Sequence, residues 1–364
     1  MGIYIKQVFK MDVWPKEAPK NIIVKMPNWL GDAVMATPVL ADLHHFFPGA
    51  TITAMCQANI APLFSYDPNI EEVFSYKRPS GWIHRHKHFD LIEELRKGKY
   101  DLGVLLTNSL SSAWWFWRGH VKNRIGYATN ARSLLLNKAV SFPKNMEKQH
   151  LVQTYKTLLD PLGLPKSDSK PKLYLAPKEI QETQELLRRL NIDISHHKLI
   201  GINPGAAYGS AKCWLPERFE ELTKRLIEDK NVRVIYFGDH AGAHLVSQIC
   251  SHFKEGVYNL AGKTSIRELM ALINCCSAFL TNDSGPMHIA AALDTPLLAL
   301  FGSTNEVKTG PSPHGEVIHK HVECSPCYKR TCPIDFRCMK SIEVDEVYNK
   351  LIKVLHEDGK RRLS

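Results

Sequence analysis

The fold class is decided by residues 278–301, which read AFLTNDSGPMHIAAALDTPLLALF. Apolar residues fill positions 278–280 and 297–301, as in strands that are buried on both faces of a sheet. Residues 286–293 between them have the composition of a buried helix. A strand, a helix and a second strand joined by short links are typical of the β-α-β unit of a parallel sheet. The sequence therefore predicts an α/β fold.

The same alternation covers the rest of the chain and predicts two domains. Further strands are predicted at 22–25, 51–55, 72–74, 102–106, 199–203, 232–237 and 256–259, and helices at 149–162, 217–228, 243–253, 266–274 and 344–356. Three prolines between residues 163 and 177 indicate a linker. Because 364 residues exceed the usual size of one core, we expect two doubly wound α/β domains, 1–170 and 171–342, with a docked C-terminal helix and tail at 343–364.

Composition narrows the class of protein. No run of about 18 apolar residues is present, and the N-terminus lacks the apolar core of a secretory signal. We therefore expect a cytoplasmic protein whose nine cysteines are reduced thiols or metal ligands. Residues 1–180 hold 24 Lys and Arg against 15 Asp and Glu, whereas residues 181–364 hold 23 against 22. The positive charge of the first half indicates an anionic partner, which could be a nucleic acid, an anionic membrane or a phosphorylated substrate. Charge alone does not distinguish among these partners.

Residues 281–288, TNDSGPMH, lie between a predicted strand and a predicted helix. A helix start offers unpaired backbone N–H groups and partial positive charge, and Gly285 lets a phosphate approach the backbone closely. This pattern suits a diphosphate, but Asp, Ser and Pro also begin helices in proteins that bind nothing there. His288 alone is more often a structural histidine.

Residues 203–216, NPGAAYGSAKCWLP, follow another predicted strand. Their small side chains leave room for a ligand, and Lys212 offers a cation to a leaving diphosphate. The alternative is a flexible surface loop with a solvated lysine. The spacing of a Walker loop is absent.

Gly31 and Asp32 stand at the end of the first predicted strand. A carboxylate at that edge can take a proton from an acceptor hydroxyl. Simple capping of the following helix is the other interpretation.

Four cysteines and two aromatic segments each allow more than one interpretation. Cys324, Cys327, Cys332 and Cys338 fall within fifteen residues, which permits a small metal site or a reduced, packed loop; we expect no metal. Residues 82–89, WIHRHKHF, and 114–118, WWFWR, place rings beside cations. Such segments suit a membrane interface or a sugar, but a solvated loop and a core helix explain them equally well.

Together, MPNWLGD at 26–32, NPG at 203–205 with Lys212, Trp214 and Pro216, and NDSGPMHIAAAL at 282–293 resemble the family-9 glycosyltransferases, the heptosyltransferases of lipopolysaccharide assembly. The resemblance covers residues 20–357. It implies a GT-B fold, in which two Rossmann-like domains face each other across a cleft. The first domain then takes the acceptor and the second takes the nucleotide sugar. Residues 118–120 and 82–89 depart from the family pattern.

The resemblance also implies an inverting, metal-independent enzyme without a cofactor. Its donor is ADP-heptose, its acceptor is heptosyl-Kdo-lipid A at the inner face of the inner membrane, and it works as a monomer. Asp32 would be the general base, and Lys212 would stabilise the leaving ADP. Donor-binding residues are expected at Asn203, Gly205, Ser210, Lys212, Gly238, Asp239, Asn282, Asp283, Ser284, Gly285 and His288. Acceptor-binding residues are expected at Asn28, Trp29, Asn108, Arg118 and Arg124.

Three alternatives remain. A family-9 transferase with a different donor or acceptor, including heptosyltransferase I or III, differs only in details that motifs do not reveal. A nucleotide-sugar epimerase has no polymeric acceptor, so it would not need a basic, aromatic first domain. A nucleic-acid-binding protein is suggested by a pI near 9.0 alone, without a recognisable binding motif.

Overall fold

The structure, a computed structural model, describes residues 14–77 and 85–361. The polar leader before residue 14 and residues 82–84 of the first aromatic segment lie outside these residues. The chain divides into two compact units, Met1–Pro171 and Lys172–Ser364.

Unit 1 contains a six-stranded parallel sheet in the order β3-β2-β1-β4-β5-β6. Its strands are Asn21–Lys25 (β1), Thr51–Gln57 (β2), Glu72–Tyr76 (β3), Leu102–Leu105 (β4), Asn123–Tyr127 (β5) and Lys138–Val140 (β6). Its α-helices are Leu30–Met35 (α1), Thr37–Phe46 (α2), Arg85–Lys97 (α3), Leu110–Arg118 (α4) and Leu151–Thr157 (α5). The central strands β1 and β4 are almost entirely buried, as their apolar sequences predict.

Unit 2 repeats this architecture in the order β12-β11-β10-β7-β8-β9. Its strands are Lys198–Asn203 (β7), Val232–Tyr236 (β8), Val257–Asn259 (β9), Ala278–Asn282 (β10), Leu297–Phe301 (β11) and Glu316–His319 (β12). Its α-helices are Pro177–Arg189 (α6), Pro216–Leu226 (α7), Ala243–Cys250 (α8), Ile266–Cys275 (α9), Gly285–Ala292 (α10), Glu306–Thr309 (α11), Arg337–Lys340 (α12) and Val344–Arg361 (α13).

Each sheet has one point where the strand order reverses. In unit 1 this point lies between β1 and β4, and in unit 2 between β7 and β10. Helices that leave two adjacent strands in opposite directions open a crevice at the carboxyl ends of those strands, and ligands of doubly wound sheets bind there. The two reversals therefore mark where a site is expected in each unit.

The C-terminal helix α13 docks on unit 2, as its apolar face predicts. Val344, Val347, Leu351 and Val354 are buried in one cluster with side chains of the sheet and of α7. The indole of Trp214 donates to the backbone carbonyl of Ile342, just before the helix. Burial of an apolar stripe, and not intrinsic propensity, therefore holds this helix in place.

The structure corrects several predicted elements. The helix predicted at 149–162 ends at Thr157, and a short 3-10 turn, Asp160–Leu162, follows. Pro161 has no N–H to donate and its ring obstructs the preceding turn, so the α-helix cannot continue. Residue 177, taken as the end of the linker, is instead the first residue of α6. There the backbone N–H of Ala176 donates to the Glu179 carboxylate, which caps the helix start.

The linker is tied to both units along its length. Near its middle, the ammonium of Lys156 donates to the backbone carbonyls and hydroxyls of Ser167 and Ser169. Beyond Pro171, the N–H of Leu173 donates to the carbonyl of Ala292 in unit 2. Pairing of the backbone polar groups thus continues through a segment that has no regular structure.

Among the helices of the described residues, none has both the length and the apolar character that spanning a bilayer requires.

Candidate active site

The crevice of unit 2 contains a buried ion pair. Lys212 lies in a short 3-10 turn, Ser210–Lys212, after β7, and Asp283 follows β10. The lysine ammonium lies 2.5 Å from the Asp283 carboxylate, with only 14% and 5% of the two side chains exposed. The structure therefore joins two residues that are 71 positions apart and that the sequence suggested separately.

Further hydrogen bonds fix this pair and the helix start beside it. The hydroxyl of Thr304, in the loop after β11, donates to the same Asp283 oxygen at 2.6 Å. The Asn203 side-chain amide donates to the Gly205 carbonyl and to the Ser284 hydroxyl at the start of α10. A buried carboxylate needs such partners, because desolvation would otherwise be costly. These hydrogen bonds thus fix the geometry of the site.

The remaining donor candidates of this crevice differ in accessibility. A side chain added at Gly205 would meet no atom within 4 Å, so open space adjoins the backbone there. Ser210 is exposed, whereas His288 is buried in α10. Asn282 is fully buried; its amide donates to the Pro204 carbonyl and its oxygen accepts from the Trp214 N–H. Asn282 therefore holds the loop in shape, and its role in donor binding stays a prediction.

Gly238 and Asp239 follow β8, the neighbouring strand of the same sheet edge. The Asp239 carboxylate accepts from the Gly242 N–H at 2.8 Å, in the turn that precedes α8. A Cβ atom at Gly238 would lie 3.3 Å from Ala261. These contacts are structural and leave a ligand role for this pair as a prediction.

The crevice of unit 1 is built around the turn after β1. Asp32 lies in the first turn of α1. Its carboxylate is near the buried phenol of Tyr155 on α5, and the pKa of Tyr155 is raised well above its ordinary value by burial first and by the Asp32 charge second. The carboxylate candidate of this unit thus adjoins a neutral hydroxyl.

Lys25 is an unexpected member of the same crevice. It is the last residue of β1 and only 1% exposed, and its ammonium donates to the Met26 carbonyl and to the Asn28 side-chain oxygen. Burial lowers the pKa of Lys25 to about 7, against a smaller opposing effect of Cys56. Asn28 and Trp29 are exposed above it, Trp29 by 57%. The sequence signal for this residue is a lysine that directly follows the apolar residues of a predicted buried strand.

Asn108 lies at the carboxyl end of β4, across the strand-order reversal from the turn after β1. Its side-chain oxygen accepts from the guanidinium of Arg132, which also donates to the carbonyls of Thr107 and Tyr127. Arg132 is fully buried, and burial lowers its pKa to about 10. Sequence patterns gave no signal for Arg132, because its role depends on contacts with residues 5 to 25 positions away.

Arg118 and Arg124 lie on the side of the sheet where the strands begin, opposite the carboxyl ends that form the crevice. Arg118 is the last residue of α4, which begins at the carboxyl end of β4 and returns to the amino end of β5. Arg124 is the second residue of β5, and its guanidinium donates to the Leu135 and Val121 carbonyls. The structure therefore does not bring these arginines together with the other acceptor candidates.

Of the two aromatic segments, the second is largely a core helix. On α4, Trp115 and Phe116 are buried, and Trp117 is 46% exposed. The Trp115 indole donates to His88 on α3 at 2.9 Å. The described part of the first segment thus packs against the second.

The loop formed by residues 324–338 is called the cysteine loop below. Its four thiols are free, ranging from exposed Cys324 to buried Cys338. Burial, and then the three neighbouring cysteines, raise the pKa of Cys338. Within the described residues, the group of potential metal ligands whose atoms all lie within 4.8 Å of one another is formed by Glu306, His319 and His321, and not by the cysteines.

The cysteine loop also contacts residues 204–215, the loop of unit 2 that carries Lys212 and is called the lysine loop below. The Arg330 carbonyl accepts from the Ala211 N–H at 3.0 Å, and the Tyr208 hydroxyl donates to the Tyr328 carbonyl at 2.9 Å. Lys212 lies over the Tyr208 ring, 4.9 Å from its centre. The cysteine loop therefore supports the loop that carries Lys212, the cation of the predicted donor site.

Known proteins share this fold and are similar to this chain over most of its length. Glycosyltransferase family 9 (heptosyltransferase) matches residues 88–336. The chain belongs to this family. It is thus a glycosyltransferase of the α/β, GT-B-like class, as the sequence predicted, and the motifs at 26–32 and 324–327 also resemble the heptosyltransferase II subgroup.

Three relatives show how far the similarity extends. Lipopolysaccharide heptosyltransferase 2 of Salmonella typhimurium is 33% identical over 301 residues, covering 81% of this chain and 86% of that protein. Lipooligosaccharide heptosyltransferase 2 of Campylobacter jejuni is 29% identical and covers 92% of this chain and 98% of that one. The solved structure of E. coli ADP-heptose lps heptosyltransferase II has a TM-score of 0.80 at 28% identity, covering 93% and 99% of the two chains.

Proposed function

We propose that this protein transfers L-glycero-D-manno-heptose from ADP-heptose to heptosyl-Kdo-lipid A, the inner core of lipopolysaccharide, with inversion at the anomeric carbon. The observation that carries the proposal is the similarity to heptosyltransferase II, which spans 93% of this chain and nearly all of the solved E. coli enzyme. The polar groups at both strand-order reversals supply the chemistry that such a transfer needs.

Asp32 is proposed as the general base. The acceptor hydroxyl attacks the anomeric carbon, its proton passes to the Asp32 carboxylate, and the bond from that carbon to the diphosphate oxygen breaks. The bonding pair leaves with ADP. One carboxylate suffices, because a single inverting displacement forms no glycosyl-enzyme intermediate. The neighbouring Tyr155 phenol stays protonated, since its pKa is raised, and does not compete as a base.

Lys212 and the start of α10 are proposed to hold the diphosphate. Charge grows on the leaving phosphate oxygen in the transition state, so a fixed cation and backbone N–H groups stabilise it most there. Asp283 would repel the same diphosphate if it were unpaired. Its pairing with Lys212 and Thr304 limits that repulsion and fixes the ammonium in place.

The acceptor is proposed to meet the carboxyl edge of the unit 1 sheet while the protein, as a monomer, lies on the inner face of the inner membrane. Trp29 and Leu110 are 57% and 49% exposed at that edge, where an amphipathic lipid anchor would contact them. The excess of 24 basic over 15 acidic residues in residues 1–180 matches an anionic, phosphorylated acceptor.

The test is a transfer assay with ADP-heptose and a panel of truncated lipopolysaccharides. The proposal predicts fastest transfer to the acceptor that ends in one heptose on Kdo-lipid A. Preference for Kdo-lipid A without heptose, or for an acceptor with a longer core, would replace the acceptor but keep the enzyme class. Release of a free modified nucleotide sugar without any acceptor would indicate an epimerase and contradict the proposal.

A further inference from the structure

A histidine-carboxylate cluster lies at the carboxyl ends of β11 and β12, outside the groups assigned to catalysis. Nδ1 of His319 lies 2.6 Å from Oε2 of Glu306, and Nε2 of His321 lies 3.5 Å from Oε1 of the same carboxylate. The His319 side chain is 2% exposed and that of Glu306 22%. His321 is 68% exposed, so the cluster is open to solvent on one side.

The hydrogen bonds around His319 constrain where its protons lie. Nε2 of His319 is 2.8 Å from the Ser325 hydroxyl, and that hydroxyl donates its only proton to the Gly302 carbonyl. Nε2 must therefore be the donor to Ser325, because a hydroxyl carries one hydrogen. Nδ1 then faces the Glu306 carboxylate with a lone pair unless a cation lies between them.

A cation bound between Nδ1 and the carboxylate supplies that positive charge. A metal ion uses all three groups. Ligands of a tetrahedral zinc lie roughly 3.4 Å apart, given metal–ligand bonds of about 2.0–2.2 Å. The 3.5 Å separation of His321 and Glu306 matches this spacing, and His319 and Glu306 need to separate by less than about 1 Å.

The geometry points to a transition-metal site formed by His319, Glu306 and His321. Two imidazoles and one carboxylate favour Zn²⁺, Co²⁺ or Ni²⁺ over Mg²⁺ and Ca²⁺, which prefer oxygen ligands. Ser325 orients the buried imidazole from the side opposite the metal, which is the usual arrangement around a metal-bound histidine. Water completes the coordination on the exposed side.

The position of this site indicates what the ion does. Glu306 is two residues beyond Thr304, the hydroxyl that holds Asp283. Ser325 belongs to the cysteine loop, whose Arg330 carbonyl contacts the lysine loop. A bound ion fastens β12, α11 and the cysteine loop to one another. It therefore stabilises the surroundings of the donor site and takes no part in bond breaking.

The experiment is titration of the full chain, freed of metal by chelator and dialysis, with ZnCl₂ in a calorimeter. We expect one ion per chain and a higher temperature of unfolding when zinc is bound. His321→Ala removes an exposed ligand without disturbing the fold and should weaken binding by about 100-fold, since even outer partners of a metal site are worth about 10- to 100-fold. His314→Ala, an exposed histidine of the same segment, is the matched control and should bind as wild type.

Co²⁺ distinguishes this site from the cysteines. The proposal predicts a visible spectrum without the intense near-ultraviolet band of thiolate ligands, unchanged in the Cys324→Ser/Cys327→Ser variant. Equal zinc binding by wild type and His321→Ala, an absence of stoichiometric binding, or a thiolate band would each overturn it. The readouts are binding and stability, so they do not depend on the proposed transferase activity.

Discussion

The carboxyl edges of the two sheets share a topology but differ in how their polar groups are held. In unit 2, Lys212, Asp283 and Thr304 form a closed, nearly buried network. In unit 1, Trp29 and Asn28 are exposed over a buried lysine, and the only carboxylate that the sequence singled out there, Asp32, adjoins a neutral phenol. One edge offers fixed positive charge, and the other offers a base beside an open surface.

This difference matches the demands of the two substrates. A leaving diphosphate gains charge in the transition state, and groups fixed in advance stabilise that charge without reorganisation. A large acceptor needs an accessible base and surface to lie on. The comparison therefore supports the proposal that unit 2 binds the donor and unit 1 removes the proton, and the variants below test that proposal.

The largest effect is expected for Asp32→Asn. The amide cannot accept the acceptor proton, so turnover should fall by about 100-fold or more while the fold is kept. Initial rates at saturating ADP-heptose and acceptor measure this. Asp90→Asn, an exposed carboxylate of the same unit, should leave the rate unchanged. Turnover near the wild-type value in Asp32→Asn would remove this residue from the mechanism.

Lys212→Ala should lower kcat/KM for ADP-heptose by about 100-fold, because the cation acts in the ground state and more strongly as ADP leaves. The change also leaves the Asp283 carboxylate buried without its partner, which is destabilising. The Lys212→Met/Asp283→Asn variant removes both charges, and it should keep the stability but not the activity. Lys254→Ala is the exposed control. A change in the acceptor KM alone would move Lys212 out of the donor site.

A stability measurement tests the buried lysine of unit 1. From about pH 7 to 10.5, Lys25 binds a proton in the unfolded chain that it does not bind in the folded one. Its contribution therefore makes the free energy of unfolding rise with pH, by up to about 1.4 kcal/mol per pH unit. Lys25→Met should remove that slope, and Lys16→Met, at an exposed position, should retain it. Denaturant unfolding between pH 7.5 and 9.5 makes the comparison; equal slopes would contradict the burial of the charge.

Arg124→Gln tests whether the acceptor site extends to the amino ends of the strands in the unit 1 sheet. Its guanidinium donates hydrogen bonds to the Val121 and Leu135 carbonyls. We therefore expect the substitution to lower the free energy of unfolding by about 1–3 kcal/mol and to leave the acceptor KM unchanged. Arg118→Gln, on the exposed end of α4, should change stability by less than about 0.5 kcal/mol. An acceptor KM raised tenfold in either variant would extend the acceptor site to that edge.

Chelation should have the smallest effect on the reaction. Protein cations and helix N–H groups replace a divalent ion on the diphosphate in this account, so the rate should survive excess EDTA. Loss of activity that Mg²⁺ restores would show that unit 2 needs a metal on the donor.

Much of the fold could be predicted from the sequence because the strands β1, β4, β7, β10 and β11 are buried on both faces and read as apolar runs. The strands β5, β6 and β12 were missed. β6 and β12 are edge strands of only three and four residues, and each begins with an exposed charged residue. β5 contains Asn, Arg and Gly, which are not typical of a buried strand. Pattern and propensity carry little signal in such segments.

The candidate site was predicted residue by residue but not as a network. Glycine, proline and polar residues after strands revealed the loops around Asp32, Lys212 and Asp283. The pairing of Lys212 with Asp283, and of Asp283 with Thr304, depends on which strands become neighbours, and the local sequence does not encode that. Thr304 follows β11 in a Gly-Ser-Thr-Asn turn. A search of that loop for polar residues directly after a predicted strand would therefore have found it.

The most direct test of the division between the two edges is the dissociation constant of ADP, measured by calorimetry on Asp32→Asn and Lys212→Ala side by side. If unit 2 binds the donor and unit 1 removes the proton, Asp32→Asn binds ADP as wild type does and Lys212→Ala binds it at least about tenfold more weakly, a loss of about 1.4 kcal/mol. Weaker binding in Asp32→Asn with unchanged binding in Lys212→Ala would contradict the account.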